Sequence, residues 1–305
     1  MHRGCSLVGS DSAKVLGSRA EHLKYLNLSM TVVPLMDLVP ALKAALNLET
    51  LKLAGLATLT DLNLNGLTRA LFEEADSSLP LTRLQSFKIR HTQITATSLT
   101  PFLQKLPLLR RLDVSFIPLR TIFHQHEPLP YPPLEKLSLT SIPMPSPPLL
   151  QALSHLPYLK VLNLGALGAS AKTVRGHAVG GGDTSGTITD QILYQVTDIL
   201  ADQCHQLQSV SLAGNTLLGR SVQYFVEAVG WKLKILNLGG IPGLKSSDLS
   251  PLVRDSETAG QPKLERLGLR NTKIDDEASV YIAACVHLTM LDLESTKVTG
   301  GSFTP

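Results

Sequence analysis

Cysteine is scarce in this chain: Cys5, Cys204 and Cys285 are the only three in 305 residues, far apart and without a CxxC pair. Isolated thiols in odd number exclude a disulfide framework and give no zinc-ligand spacing. Aromatic residues make up 5% of the chain and charged residues 17%, so burial must come from aliphatic side chains rather than from rings or ion pairs. No run approaches the roughly 18 to 20 unbroken apolar residues of a membrane helix. The start, MHRGCSLVGSDSAKVLGS, lacks the apolar core and cleavage pattern of a secretory signal. The expectation is a cytoplasmic or nuclear protein with no membrane partner. Neither sign of charge dominates, with 28 basic against 25 acidic residues and a net charge of +3, too near balance to imply a nucleic-acid surface by itself.

Leucine, by contrast, recurs in register. The motif LxxLxL begins at Leu23, Leu48, Leu84, Leu109, Leu134, Leu159, Leu207, Leu233, Leu264 and Leu288, at spacings of 25, 36, 25, 25, 25, 48, 26, 31 and 24 residues. The second and third apolar positions of each motif alternate along a short strand, with the residue between them facing out. A single unit is too small to bury its own apolar face, so neighbours must supply the other half of its core. The predicted fold is α/β: a solenoid with a concave parallel sheet and mixed helical and extended segments on the convex side. One elongated domain is expected over residues 12–305, with residues 1–11 as an amino-terminal extension.

A second layer of pattern supports the register. Three residues after the last motif position stands Thr31, Leu56, Thr92, Ile117, Ile142, Leu167, Asn215, Ile241, Thr272 or Thr296. Thr or Asn there bonds backbone groups in the turn leaving the strand, whereas an aliphatic residue extends the core. Outer segments then switch to helical spacing, as in Leu35/Leu38/Leu42, Leu99/Phe102/Leu103/Leu106, Ile192/Val196/Ile199/Leu200, Val222/Phe225/Val226/Val229 and Ala278/Ile282/Cys285. Cys204 and Cys285 each stand three residues before an anchor, where other repeats carry Ala20, Ala45, Leu106 or Leu156. Their expected role is buried packing.

The segment LERLGLRNTKIDDEASVYIAACVHLTMLDLEST, residues 264–296, resembles the ribonuclease-inhibitor-like and cysteine-containing families of leucine-rich repeats. The resemblance covers about residues 12–300 and is sharpest from Leu207 onward. It implies a scaffold that binds proteins. Many cysteine-containing members are the substrate-recognition parts of F-box ubiquitin-ligase subunits, which implies a ligase adaptor as a partner by analogy, although no F-box precedes Leu23.

Several stretches break the pattern. The 48-residue spacing holds GALGASAKTVRGHAVGGGDTSG, and residues 165–187 read as a flexible insertion with a basic tip at Lys172, Arg175 and His177. Gly180 to Gly182 lack the Lys and Ser/Thr ending of a phosphate loop. PLPYPP (128–133) and IPMPSPP (142–148) are expected to leave their outer arcs with little α-helix. Neither end shows a polar cap, so the expectation is that terminal caps are missing and that the chain is a fragment of a longer protein.

The outward strand positions nominate the recognition face. Its central row reads Asn27, Lys52, Lys88, Asp113, Ser138, Asn163, Ser211, Asn237, Gly268 and Asp292, and the row beyond includes Arg90, Arg270 and Glu294. The candidate protein-binding residues are Lys52, Lys88, Arg90, Arg110, Arg111, Asp113, Asn163, Asn237, Arg270 and Asp292. The first half is basic and suits an acidic protein segment. RNA or another polyanion is the alternative, with few aromatic platforms beyond Tyr25 to stack bases. Histidines such as His22, His91, His124, His126, His155 and His205 are scattered without a nucleophile or metal set, so no catalytic residue, cofactor or metal ligand is assigned.

Overall fold

The computed structural model describes residues 9–17, 20–73, 79–123, 131–166, 188–253 and 260–299. It divides into two compact units, Met1–Ile142 and Pro143–Pro305. In the first, strands β1 (Tyr25–Asn27), β2 (Thr50–Lys52), β3 (Ser86–Lys88), β4 (Arg111–Asp113) and β5 (Lys136–Ser138) pair in parallel in chain order. Leu26, Leu51, Phe87, Leu112 and Leu137 align across them as the inward row. In the second unit, β6 (Val161–Asn163), β7 (Ser209–Ser211), β8 (Ile235–Asn237), β9 (Arg266–Gly268) and β10 (Met290–Asp292) do the same, with Leu162, Val210, Leu236, Leu267 and Leu291 inward. Every strand is the predicted middle of an LxxLxL motif.

Three residues cannot bury an apolar face alone, and the ends demonstrate it. Leu48, Leu51 and Leu53 are fully buried, as are Leu233, Leu236 and Leu238. Leu288, Leu291 and Leu293, all three motif positions of the last described repeat, are only half-buried, whereas in the first repeat only Leu23 is half-buried and Leu26 and Leu28 remain buried. Full burial of a leucine is worth about 1.5 to 3 kcal/mol, so each repeat depends on the next for its stability.

Backbone pairing continues past each strand into a shared corner. The residue two beyond the last motif position has a positive φ in every repeat: Met30, Gly55, His91, Phe116, Ser141, Ala166, Gly214, Gly240, Asn271 and Ser295. That turn aims its N–H at the neighbouring repeat, as in Met30 to the Ala54 carbonyl at 2.8 Å, Phe116 to Thr140 at 2.9 Å and Gly240 to Arg270 at 2.7 Å. Only three of the ten are glycine, and a left-handed L-residue costs about 1 kcal/mol, a cost that the inter-repeat bond offsets at Met30, His91, Phe116, Ala166 and Asn271. The next position behaves as its residue types require. Thr31, Thr92, Thr272 and Thr296 donate to their own strand-end carbonyls at 2.5 to 2.8 Å. Asn215 donates to Leu212 at 2.7 Å and across the repeat to Leu164 at 2.9 Å.

Helices occupy the far side of the strands. In the first unit they are α1 (Ser10–Gly17), α2 (Val39–Ala44), α3 (Asp61–Phe72) and α4 (Ala96–Gln104), and in the second α5 (Ser146–Ser154), α6 (Asp190–Gln203), α7 (Gly219–Ala228) and α8 (Ser279–Ala283). The stripes of α4 and α7 are buried as expected. In α6 the buried face is Leu193, Val196, Thr197 and Leu200, turned from the expected one, and Ile192 and Ile199 are only half-buried. The expectation of little helix after Ile142 is corrected: α5 starts at Ser146, so Pro147 and Pro148 fall in its first turn. There no intrahelical donor is needed and the fixed φ of proline suits the helix. Of the proline-rich segment 128–133, Tyr131 to Pro133 are non-helical and the rest lies outside the described residues, as do Cys5, His124, His126, Lys172, Arg175, His177 and Gly180 to Gly182.

Cys204 and Cys285 are buried, and burial pushes both thiols up to about 11. Protonated at neutral pH, they pack as small apolar groups, as their repeat position implied.

Helices are tied to one another by aspartates. Thr60 caps α3, and the adjacent Asp61 reaches forward to the start of α4, accepting from the Thr95 N–H at 2.8 Å, the Thr95 hydroxyl at 2.7 Å and the Ser98 hydroxyl at 2.5 Å. Thr189 and Asp190 repeat the device in the second unit, with Asp190 accepting from the Leu218 N–H at 2.8 Å and the Ser221 hydroxyl. Burial alone would raise the Asp61 pKa, but the bonds from Ser98 and Thr95 outweigh it and hold the carboxyl below its ordinary value. A depressed folded-state pKa contributes stability that is present above the unfolded value near 4 and is lost as pH falls through the folded value. Asp61→Ala should therefore lower stability by about 1 kcal/mol at pH 7, with the gap closing as the pH of urea melts is taken below about 4.

Candidate basic recognition face

Because the side-chain period along a strand is two, the first and third residues of each strand both face outward while the second is buried. The first unit therefore presents two aligned rows. One runs Tyr25, Thr50, Ser86, Arg111, Lys136, and the other Asn27, Lys52, Lys88, Asp113, Ser138. Across β1 to β5 the two rows enclose an open depression of about 360 Å³ with Leu112 at its floor. Lys52, Lys88, Arg111 and Lys136 all line it, opposed by one carboxylate, Asp113.

The depression is electrostatically crowded. Lys52 and Lys88 are register neighbours, as are Arg111 and Lys136, on strands about 4.8 Å apart. Lys52 donates to the Tyr25 hydroxyl at 2.6 Å. Among the described residues Lys88, Arg111 and Lys136 have no hydrogen bond or ion pair within 4 Å. Asp113 accepts from the Ser115 N–H at 3.2 Å through one oxygen. The Lys88 pKa is lowered, first by burial and then by repulsion from Lys52, Lys136 and Arg90, against a partial attraction from Asp113.

The structure thus brings together four of the nominated residues, Lys52, Lys88, Arg111 and Asp113, and separates the others from them. Arg90 lies in the row beyond β3, exposed, outside the depression. Arg110 points away from Arg111 and pairs with Glu135 at 2.7 Å, directly across the repeat. Asn163, Asn237, Arg270 and Asp292 belong to the second unit. There Asn237 and Asp292 accept the N–H two residues on, at 3.0 and 3.2 Å, closing the strand end. Arg270 lies over Gly239, where an added Cβ would stand 2.8 Å from its Cγ, and its guanidinium is 3.6 Å from Glu294.

Thr50, Ser86 and Lys136 were missed by reading the outward positions one row at a time; the signal was the first residue of each xLx triplet. A further feature is invisible to sequence pattern. His91 and Phe116 occupy left-handed corners of successive repeats and stack at 4.4 Å with 11° between their rings. Burial and the nearby Arg90 lower the His91 pKa, against Asp113. Among the described residues no three His, Cys, Asp or Glu side chains gather to hold a metal, and no helix is long and apolar enough to cross a membrane.

No family model matches the chain, and no curated protein matches it. Among solved structures, a chain of the yeast Rad7 and Elc1 complex is similar over 99% of this chain and 77% of its own length, at 18% identity and a TM-score of 0.62. An internalin, inlF, of Listeria monocytogenes is similar over 93% and 79%, at 19% identity and a TM-score of 0.47. A chain of the TLR13–ssRNA13 complex gives 93% and 48%, at 17% identity and 0.44. The first of these and the parallel repeat register establish the leucine-rich-repeat solenoid fold.

A crowded, half-desolvated cation is a stability cost. Lys88→Met should raise urea-melt stability by about 0.5 kcal/mol; a fall greater than that would show Lys88 to be favourably paired.

Proposed function

We propose that this leucine-rich-repeat solenoid is a noncatalytic recognition scaffold, and that an acidic segment of a partner protein docks on the strand face of its first unit. The observation that carries this reading is the cation excess: four basic side chains against one carboxylate, three of them unpaired among the described residues, on consecutive parallel strands. Rigid strands hold those groups in place before binding, so little side-chain and backbone order remains to be lost on association. Clustered positive charge also steers an acidic partner and raises its on-rate at low salt. An anion bound beside Lys88 favours its protonated form, so affinity should weaken as pH rises through the lowered titration of that lysine.

The finer reading, a substrate-recognition part of a ubiquitin-ligase subunit, rests on the family resemblance of the sequence. The Rad7 and Elc1 structure, itself a two-protein complex, is consistent with a second protein joined to such a scaffold. Polyanion binding draws support from the stacked His91 and Phe116 rings beside Arg90, but each ring covers one face of the other. A single platform does not supply the succession of stacked bases that single-stranded RNA uses.

Affinity capture with the full chain, with and without nuclease, tests this. Lys88→Glu with Arg111→Glu should cut recovery of a nuclease-resistant protein partner by about tenfold or more, and Lys88→Glu with Arg90→Glu by a smaller factor. Recovery unchanged by both pairs would overturn the proposed face, and recovery abolished by nuclease would favour RNA.

A further inference from the structure

We propose that the anion taken by the basic depression is a phosphoryl group on a side chain of the partner, seated between Lys88 and Arg111 with the Ser86 hydroxyl donating to it. This rests on the reading of that face as the protein-recognition surface and specifies its ligand.

Charge favours a phosphoryl group over a carboxylate. A carboxylate brings one negative charge to four cations, whereas a phosphorylated serine or threonine brings about 1.5 to 2 at neutral pH together with three acceptor oxygens. Arg111 offers a planar fork of donors suited to two of those oxygens, and Lys88 a point charge for the third. Burial lowers the Lys88 pKa first, and Lys52, Lys136 and Arg90 add a repulsion to it that a multiply charged anion relieves.

The neutral donors favour it as well. Ser86 stands in the first row between Thr50 and Arg111 and lines the depression. Its residue is only 5% exposed, yet its hydroxyl makes no hydrogen bond among the described residues. Buried hydroxyls in native proteins are overwhelmingly paired, and one left unpaired is unfavourable until an acceptor arrives. The Thr50 hydroxyl beside it is likewise unbonded. Two hydroxyls and four cations offer more donors than the two oxygens of a planar carboxylate can take, and suit the three oxygens of a phosphoryl group better.

The depression suits a side chain of a protein better than a free ion. Its lining also carries groups of different chemistry: the ring of Tyr25, exposed apart from Lys52 Nζ at 4.7 Å from its centroid, and the second oxygen of Asp113, which has no hydrogen-bond partner among the described residues. A free ion would leave these unused, whereas an extended segment presents a backbone N–H to Asp113 and apolar surface to Tyr25.

The test uses the full chain and two fluorescein-labelled heptapeptides, Glu-Glu-Gly-Ser-Gly-Glu-Glu with the central serine free or phosphorylated, followed by fluorescence anisotropy, with inorganic phosphate as a competitor. The phosphopeptide should bind about tenfold or more tightly at pH 7.5, and the advantage should shrink at pH 5.5, below the second phosphate pKa of about 6. Ser86→Val should erase most of that advantage and leave the affinity of the unphosphorylated peptide unchanged. Arg111→Gln, at an exposed position that does not threaten folding, should weaken both peptides, the phosphopeptide by the larger factor. Equal binding of the two peptides would overturn the phosphoryl assignment while leaving the acidic-segment reading intact. Binding of neither would overturn both. Displacement by inorganic phosphate at the same concentration as by unlabelled phosphopeptide would overturn the protein source of the phosphoryl group.

Discussion

Every feature of this chain depends on one constraint: a repeat whose strand is three residues long must find its backbone and apolar partners in the next repeat. The parallel ladder meets part of that demand, and after eight of the ten strands the left-handed corner adds to it by turning another N–H toward the neighbour. Seven non-glycine residues hold that conformation, against their own preference. The corner therefore reflects what the array requires rather than what each residue favours. In five repeats the threonine or asparagine that follows it bonds the strand-end carbonyl, and the aspartates of α3 and α6 tie helix to helix on the opposite side.

The same constraint makes a surface. Once strand spacing is set by hydrogen bonds, side chains in a row are held at a fixed interval whatever their charge. Lys52 beside Lys88, and Arg111 beside Lys136, are arrangements that an isolated hairpin would relax away from. Here the ladder and the leucine core outweigh the repulsion, and the cost is stored in the depression until an anion offsets it. Local destabilisation at a binding face on a stable framework is the ordinary trade between stability and function.

The register was legible in the sequence because it has three independent signatures: the leucines, the Thr/Asn position and the small or apolar residue before each anchor that placed Cys204 and Cys285 in the core. The helices were legible where one face alone is apolar, as in α7. In α6, Ile192 and Leu193 are adjacent, so periodicity could not choose between two faces. In α3, Leu62 and Leu64 alternate as a strand would, which hides a helix whose buried side is Leu64, Leu67, Thr68 and Leu71. Prolines after Ile142 suggested extended chain because their effect depends on where a helix starts, a matter of one or two residues. For the site, Lys52, Lys88 and Asp113 followed from the central row. Arg110 and Arg111 could be told apart only through register, which sets Arg110 opposite Glu135 and leaves Arg111 among cations. The unpaired Ser86 hydroxyl is a property of depth and neighbours, and no pattern of residue types announces it.

The central claim, that recognition takes place on the strand face between β1 and β5, is tested most directly by lysine-resolved NMR. With lysines reductively labelled by 13C-methyl groups, the resonances of Lys52, Lys88 and Lys136 can be followed as an acidic peptide is added. Saturable shifts should be confined to these three, with Lys234 and Lys263 of the second unit unmoved. Shifts spread evenly over the lysines, or concentrated on the second unit, would contradict it.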